Sequence, residues 1–154
     1  MQIDLNIDTI SSLLSFFQAL LLGVFLITYK GGNRPASVFL SVFILSYYFG
    51  DLYDFLGASG IVSKHHSLIF FPSLTLFFYG PAIYYYVRSI VDEKFEVNTK
   101  DILFAFIPGF IELLAGFILF ALPVDTKIQL LQSETFNSIH HVYSLIAGIH
   151  AVLY

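Results

Sequence analysis

The apolar positions of this chain fall into long blocks, not into the alternation of a surface strand or the single stripe of a water-exposed helix. From Thr9 to Tyr29 no Asp, Glu, Lys or Arg interrupts the run. About 20 helical residues cross the roughly 30 Å hydrocarbon core of a bilayer, so residues 9–29 predict a first transmembrane helix. Gly31, Gly32, Asn33 and Pro35 break the pattern, and a second block runs over 36–56, interrupted late by Asp51 and Asp54. A third covers 67–90, with Pro72 and Pro81 inside it and Arg88 at its end. A fourth covers 102–122, with Asp101 as its expected N-cap, Pro108 and Gly109 within it and Pro123 after it. The fifth covers 136–154 and is still apolar at Tyr154, as a chain cut within a helix would be.

Backbone groups in lipid must be satisfied internally, so such blocks are helices unless the chain closes a barrel. Barrel strands would alternate polar and apolar residues over about 10 positions, and this chain does not. The expected fold is all-α: a polytopic transmembrane helical bundle of about five helices, one domain over 1–154 with no soluble domain. A cleaved signal peptide is the competing reading of the first block. It needs positive charge ahead of the apolar run, whereas Asp4 and Asp8 precede it here and Lys30 and Arg34 follow.

Composition strengthens the membrane reading. Hydrophobic residues make up 57% of the 154 and charged residues 12%, about half the charged share of a soluble domain. With no cysteine, disulfides, thiol nucleophiles and thiolate metal sites are excluded. A net charge of −4 with seven scattered cations argues against direct nucleic-acid contact by this chain. Those cations also predict an orientation. Lys30, Arg34, Arg88, Lys94 and Lys100 flank the first and third connections, and Lys64 and Lys127 lie in the second and fourth. By the positive-inside rule the N-terminus is outside and connections one and three are cytoplasmic. Tyr29 and the run Tyr84, Tyr85 and Tyr86 then fall near the cytoplasmic interface, where amphipathic rings sit.

Ionisable groups at membrane depth are the candidate chemistry, because each is costly to bury there. Glu112 lies near the middle of the fourth block, either as a ligand or proton contact or as a neutral acid that bonds a neighbouring helix. Asp51 and Asp54, three apart, share a helical face with Tyr47. An intramembrane aspartyl protease would need its two aspartates on facing helices. On the fifth helix His140, Tyr143, Ala147 and His150 share a face, with His141 beside them. Together Asp51, Asp54, Glu112, His140 and His141 form the expected ligand- or stimulus-sensing set. No helical i, i+4 histidine pair suggests a metal, and no cofactor is expected. Gly80 with Pro81, and Pro108, are the expected helix kinks, since proline releases a helical carbonyl. Phosphate loops, nucleophile elbows and H-E-x-x-H patterns are absent, so no enzyme activity is expected.

Three stretches carry a family resemblance: Phe16-Phe17-Gln18-Ala19-Leu20-Leu21-Leu22-Gly23, the Lys30–Arg34 connection with Asn33, and Tyr79-Gly80-Pro81-Ala82-Ile83-Tyr84-Tyr85-Tyr86-Val87-Arg88-Ser89. They resemble the membrane-embedded N-terminal region of AraC-type transcriptional regulators. That family's third helix carries a G-P-x-x-Y-x-Y-V-R-S pattern and its fourth an I-P-F-like step, here Ile107-Pro108-Gly109-Phe110 with Gly109 inserted. The resemblance implies a bundle of about seven helices in the bacterial inner (cytoplasmic) membrane, followed by a cytoplasmic helix-turn-helix domain. This chain stops before such a domain. The expected function is therefore a membrane sensor or anchor module that couples an external or intramembrane stimulus to a DNA-binding domain outside these residues. Its expected partners are the lipid bilayer, an unidentified ligand and a second copy in a homodimer. The alternative is a small transporter or channel component that uses the Glu and His residues as a proton path.

Overall fold

The helix ends are set by side chains that satisfy the free backbone N–H groups of the first turns. In the computed structural model, which describes residues 6–70, 76–92 and 94–154, α1 covers Ile7–Thr28 and α2 covers Arg34–Ala58. Asn6 and Thr9 form a reciprocal capping box, each side chain bonding the other's N–H at 2.9 Å. That box starts α1 two residues ahead of the apolar block. Asn33 caps α2 through the Ala36 N–H, with Pro35 in the first turn. Gly60, in the left-handed region at φ 71°, follows the last turn of α2 and leads into the short α3, Ile61–Lys64.

The third apolar block is not one helix. His66–Leu68 form a 3-10 turn, and Phe70 has a φ of 59°, a left-handed conformation that a continuous α-helix cannot pass through. The helix of this region is α4, Leu76–Val91, with Pro81 inside it; Pro72 lies outside the described residues. Next comes α5, Thr99–Ala121, also with an internal proline, Pro108. Its N-cap is Asn98, whose side chain accepts from the Lys100 N–H at 3.1 Å. Asp101 is therefore not the cap. It sits in the first turn, bonded by the Asn98 amide and favoured there by the helix dipole. The fourth connection is itself helical, as α6, Val124–Gln132. Ser133 then caps α7, Glu134–Leu153.

Among the described residues all regular structure is helical, and three helices are long and apolar enough to cross a membrane: α1, α2 and α5. The 16 described residues of α4 extend about 24 Å at the helical rise. In contrast, α7 has sufficient length but carries Asn137, Ser138, His140 and His141 in its first half.

Helix α4 is the centre of the bundle and packs against α2, α5 and α7, while α1 packs along α2. The core joins Phe39 of α2, Phe78, Ala82 and Tyr85 of α4, and Ala105 and Phe106 of α5. Phe39 and Tyr85 stack at 5.3 Å between ring centroids. Ala82, in the same core, is fully buried.

Outside the aromatic core, the exterior is unlike that of a water-soluble helical protein. Thr9, Ser41, Ser46 and Ser89 are buried, whereas Phe104 is 75% exposed, and Leu21, Leu114, Phe117 and Ile118 also face outward. Small residues set the helix contacts. Ser41 donates to the Gly23 carbonyl at 2.8 Å, linking α2 to α1. A Cβ at Gly80 would lie 2.8 Å from the Ala151 Cα, so α7 crosses α4 nearly backbone to backbone. A Cβ at Gly109 would meet the Phe78 ring at 2.5 Å.

Two contacts join the connections. The Asn33 amide donates to the Ser89 carbonyl at 2.5 Å, satisfying a carbonyl in the last turn of α4. Lys127, only 2% exposed, donates to the Ser67 carbonyl at 2.7 Å and lies 4.7 Å from the Phe120 ring centroid. Burial holds its ammonium below the usual lysine range.

Candidate functional site

Glu112 sits just past the middle of α5, where helical geometry turns its side chain toward the first half of α7. The Tyr143 hydroxyl donates to Glu112 Oε1, and the Phe77 N–H in the first described turn of α4 donates to Oε2 at 3.4 Å. One carboxyl group thus ties three helices together. The Phe77 ring meets Tyr143 edge-on at 5.7 Å between centroids, and His140, one turn before Tyr143 on α7, stacks on it at 6.1 Å and 18°. The polar chain therefore runs from Tyr143 to Glu112 and then the backbone of α4, with His140 stacked on the Tyr143 ring.

Beside this chain α5 and α7 separate, leaving a cleft of about 630 Å³. Its walls are Pro108, Ile111 and Ala115 from α5, Ile139, Val142 and Ile146 from α7, and Phe77 at the back. Glu112, Tyr143 and Ser138 supply its polar side chains. That size lies within the range of small-molecule sites, which are mainly apolar with a few convergent polar groups.

The five expected sensing residues do not converge on one point. Glu112 bonds Tyr143, on whose ring His140 stacks, and His141 is exposed. Asp51 is half-buried and Asp54 exposed on α2, a helix that shares no extended seam with α7. Among the described residues no three His, Asp or Glu side chains gather as metal ligands would. Of the expected kink residues, Gly80 admits Ala151, and Pro108 lies in the cleft wall.

Phe77 is a site member that the residue pattern does not single out, and Tyr143 is one that it places on the His140 face without identifying its partner. Tyr143 shares a helical face with His140, but facing is a property of one helix and partnership requires the second. Phe77 contributes a backbone N–H, which carries no residue signature. His150, two turns beyond Tyr143, packs its ring against Phe77 at 5.0 Å, and its Nδ1 has no hydrogen-bond partner among the described residues.

Comparison of the chain with known protein families, with characterised proteins and with solved structures finds no match.

Proposed function

We propose that this chain is a membrane-embedded sensor or anchor module whose moving part is α7. In this reading α1, α2, α4, α5 and α7 cross the bacterial inner membrane, the N-terminus is external, and a stimulus at the α5–α7 cleft changes how α7 sits. The output is a cytoplasmic DNA-binding domain outside these residues, the arrangement implied by the resemblance to AraC-type regulators. A switch of this kind requires a ligand with different affinity for two arrangements of the helices.

The observation that carries the reading is the apolar exterior, with large apolar side chains facing outward along α1, α5 and α7 while several serines and small residues lie between helices beside the aromatic core. Water would oppose that surface and a lipid bilayer favours it. The seat of α7 supports the moving-part assignment. It rests on α4 through Gly80 and Ala151 and reaches α5 through the Tyr143 hydroxyl, beside an open cleft.

Because the chain has no native cysteine, single cysteines report topology directly. Lys30→Cys should be labelled by an impermeant maleimide only after the cells are opened, and Lys64→Cys in intact cells. The reverse pattern would overturn the orientation, and release of the chain by alkaline carbonate would overturn membrane embedding itself. For the output, the reading frame past the Tyr154 codon should encode further apolar spans and a basic helix-turn-helix segment. An immediate stop codon would remove the regulator reading.

A further inference from the structure

We propose that the second connection is a releasable clamp on α6 and the head of α7, and that the α5–α7 cleft widens at its α6 end when the clamp lets go. This rests on the reading of α7 as the moving part, and it deepens that reading by naming what holds the helix in place.

Three observations converge on it. First, α7 is held in two ways along its length. From its middle onward it meets α4 through Tyr143, His150, Ala151 and Tyr154. Its head instead packs the Phe136 ring on Phe70 of the second connection, with centroids 5.4 Å apart, while Ile139 and Val142 are more than half exposed. Second, α6 and α7 share a joint. Ser133 ends one helix and starts the other: its N–H donates to the Leu130 carbonyl, and its hydroxyl oxygen accepts from the Phe136 N–H at 3.4 Å. One shared residue is too short to absorb a tilt, so a displacement of α6 passes into the first turn of α7.

Third, both contacts of the clamp favour release. Phe70 holds a left-handed φ of 59°, a conformation costly to an aromatic residue. Lys127 is buried against the Ser67 carbonyl and the Phe120 ring. Asp125 on the same helix, Glu134 on α7, and Lys64, His65 and His66 in the second connection are all exposed. Charged, the Lys127 head has no carboxylate partner among the described residues; neutral, its lone pair has no donor. Water satisfies either form better than this setting does. Contacts whose groups gain on parting make a latch, unlike the closed seam between α1 and α2.

The test uses the whole chain in phosphatidylcholine nanodiscs, with pairs of spin labels on introduced cysteines read as distance distributions. Phe117→Cys with Ile139→Cys spans the α6 end of the cleft, and Val87→Cys with Val152→Cys spans the α4–α7 contact; all four native side chains are exposed. Lys127→Met keeps the stem and removes the N–H donors, and Phe136→Ala removes the ring. Each should lower the ratio of short to long 117–139 distances at least about fivefold, the scale of one lost buried contact, and leave the 87–152 distances in place. Two glycines inserted after Ser133 uncouple the joint, so in that chain Lys127→Met should no longer change the 117–139 distances. An unmoved 117–139 pair in either variant, an 87–152 pair that shifts with it, or an effect of Lys127→Met that persists through the insertion each overturns the proposal. A chain that carbonate strips from membranes sinks the bilayer reading whatever these distances are. One that stays embedded with an unmoved 117–139 pair sinks only the clamp.

Discussion

The α1–α2 side and the α5–α7 side of the bundle use similar residues to opposite ends. Along α1 and α2 the two helices share a continuous seam, with Gly23 against the Leu45 side chain, Ser41 bonded to the Gly23 carbonyl and Phe16 edge-on to Phe49 at 6.0 Å. Between α5 and α7 the contact narrows to the Tyr143–Glu112 bond, and the space beside it stays open. In lipid no hydrophobic force drives two apolar helices together, so close approach comes from small residues and hydrogen bonds. Where a glycine and a serine coincide on facing helices, a seam closes. Where an acid and a tyrosine meet amid bulky Ile and Val side chains, a cleft remains.

The largest expected break in this contrast comes from Gly80→Ala. Its Cβ would lie 2.8 Å from Ala151 Cα and 3.0 Å from that carbonyl, and backbone cannot rotate aside. Overpacking there should cost about 2 kcal/mol and dislodge α7 alone. Crosslinking of Tyr84→Cys to Tyr154→Cys by a flexible bis-maleimide, across a site where the native rings lie 5.9 Å apart, should then fall. The same crosslink between Phe16→Cys and Phe49→Cys should form as before. Loss of both would show that the two sides are not separable.

A smaller effect is expected from Glu112→Ala, which leaves the Tyr143 hydroxyl and the Phe77 N–H without their acceptor. About 1.5 kcal/mol should be lost in unfolding from mixed micelles, with faster hydrogen exchange confined to α7 and the start of α4. Unchanged exchange in α7 would mean that the acid does not hold that helix. The smallest is Ser41→Ala, worth about 0.6 kcal/mol by the average for hydrogen bonds between membrane helices. A loss as large as that of Gly80→Ala would reverse the contrast, with one hydroxyl and not the whole seam holding α1 to α2.

Much of the helical layout was legible in the residue pattern, because it depends on local signals. Uncharged length gave the bodies of α1, α2, α5 and α7, and Gly31, Gly32 and Asn33 marked the break between the first two. The errors have local causes too. Taking Asp101 as a cap overlooked Asn98, an equally good capping residue three positions earlier. The third block read as one helix because hydropathy does not register the left-handed backbone at Phe70. Residues 124–132 fall in the fourth connection between apolar blocks, yet they form α6, stitched to the second connection by Lys127 and Ser67.

For the candidate site the residue pattern reached the expensive groups but not their company. It singled out Glu112 and the His140 face, since an ionisable residue in an apolar run stands out by itself. It also grouped Asp51 and Asp54 with them, on the ground that the aspartates, His140 and His141 fall toward the external side with Glu112 beneath. Shared depth is not contact, and α2 and α7 pack against different parts of α4.

By itself the sequence determined that the chain is helical and apolar in long segments, where those segments begin, and which few polar groups they carry. These follow from backbone hydrogen bonding, capping and solvation, each of which acts within a few residues. Only the tertiary structure decided that α4 is central, that Gly80 receives Ala151, and that Glu112 meets Tyr143 at the edge of an open cleft. A helix that is apolar on nearly every side carries no strong stripe to say which face turns inward. The choice falls to where small side chains and hydrogen-bonding groups happen to match across helices far apart in the chain.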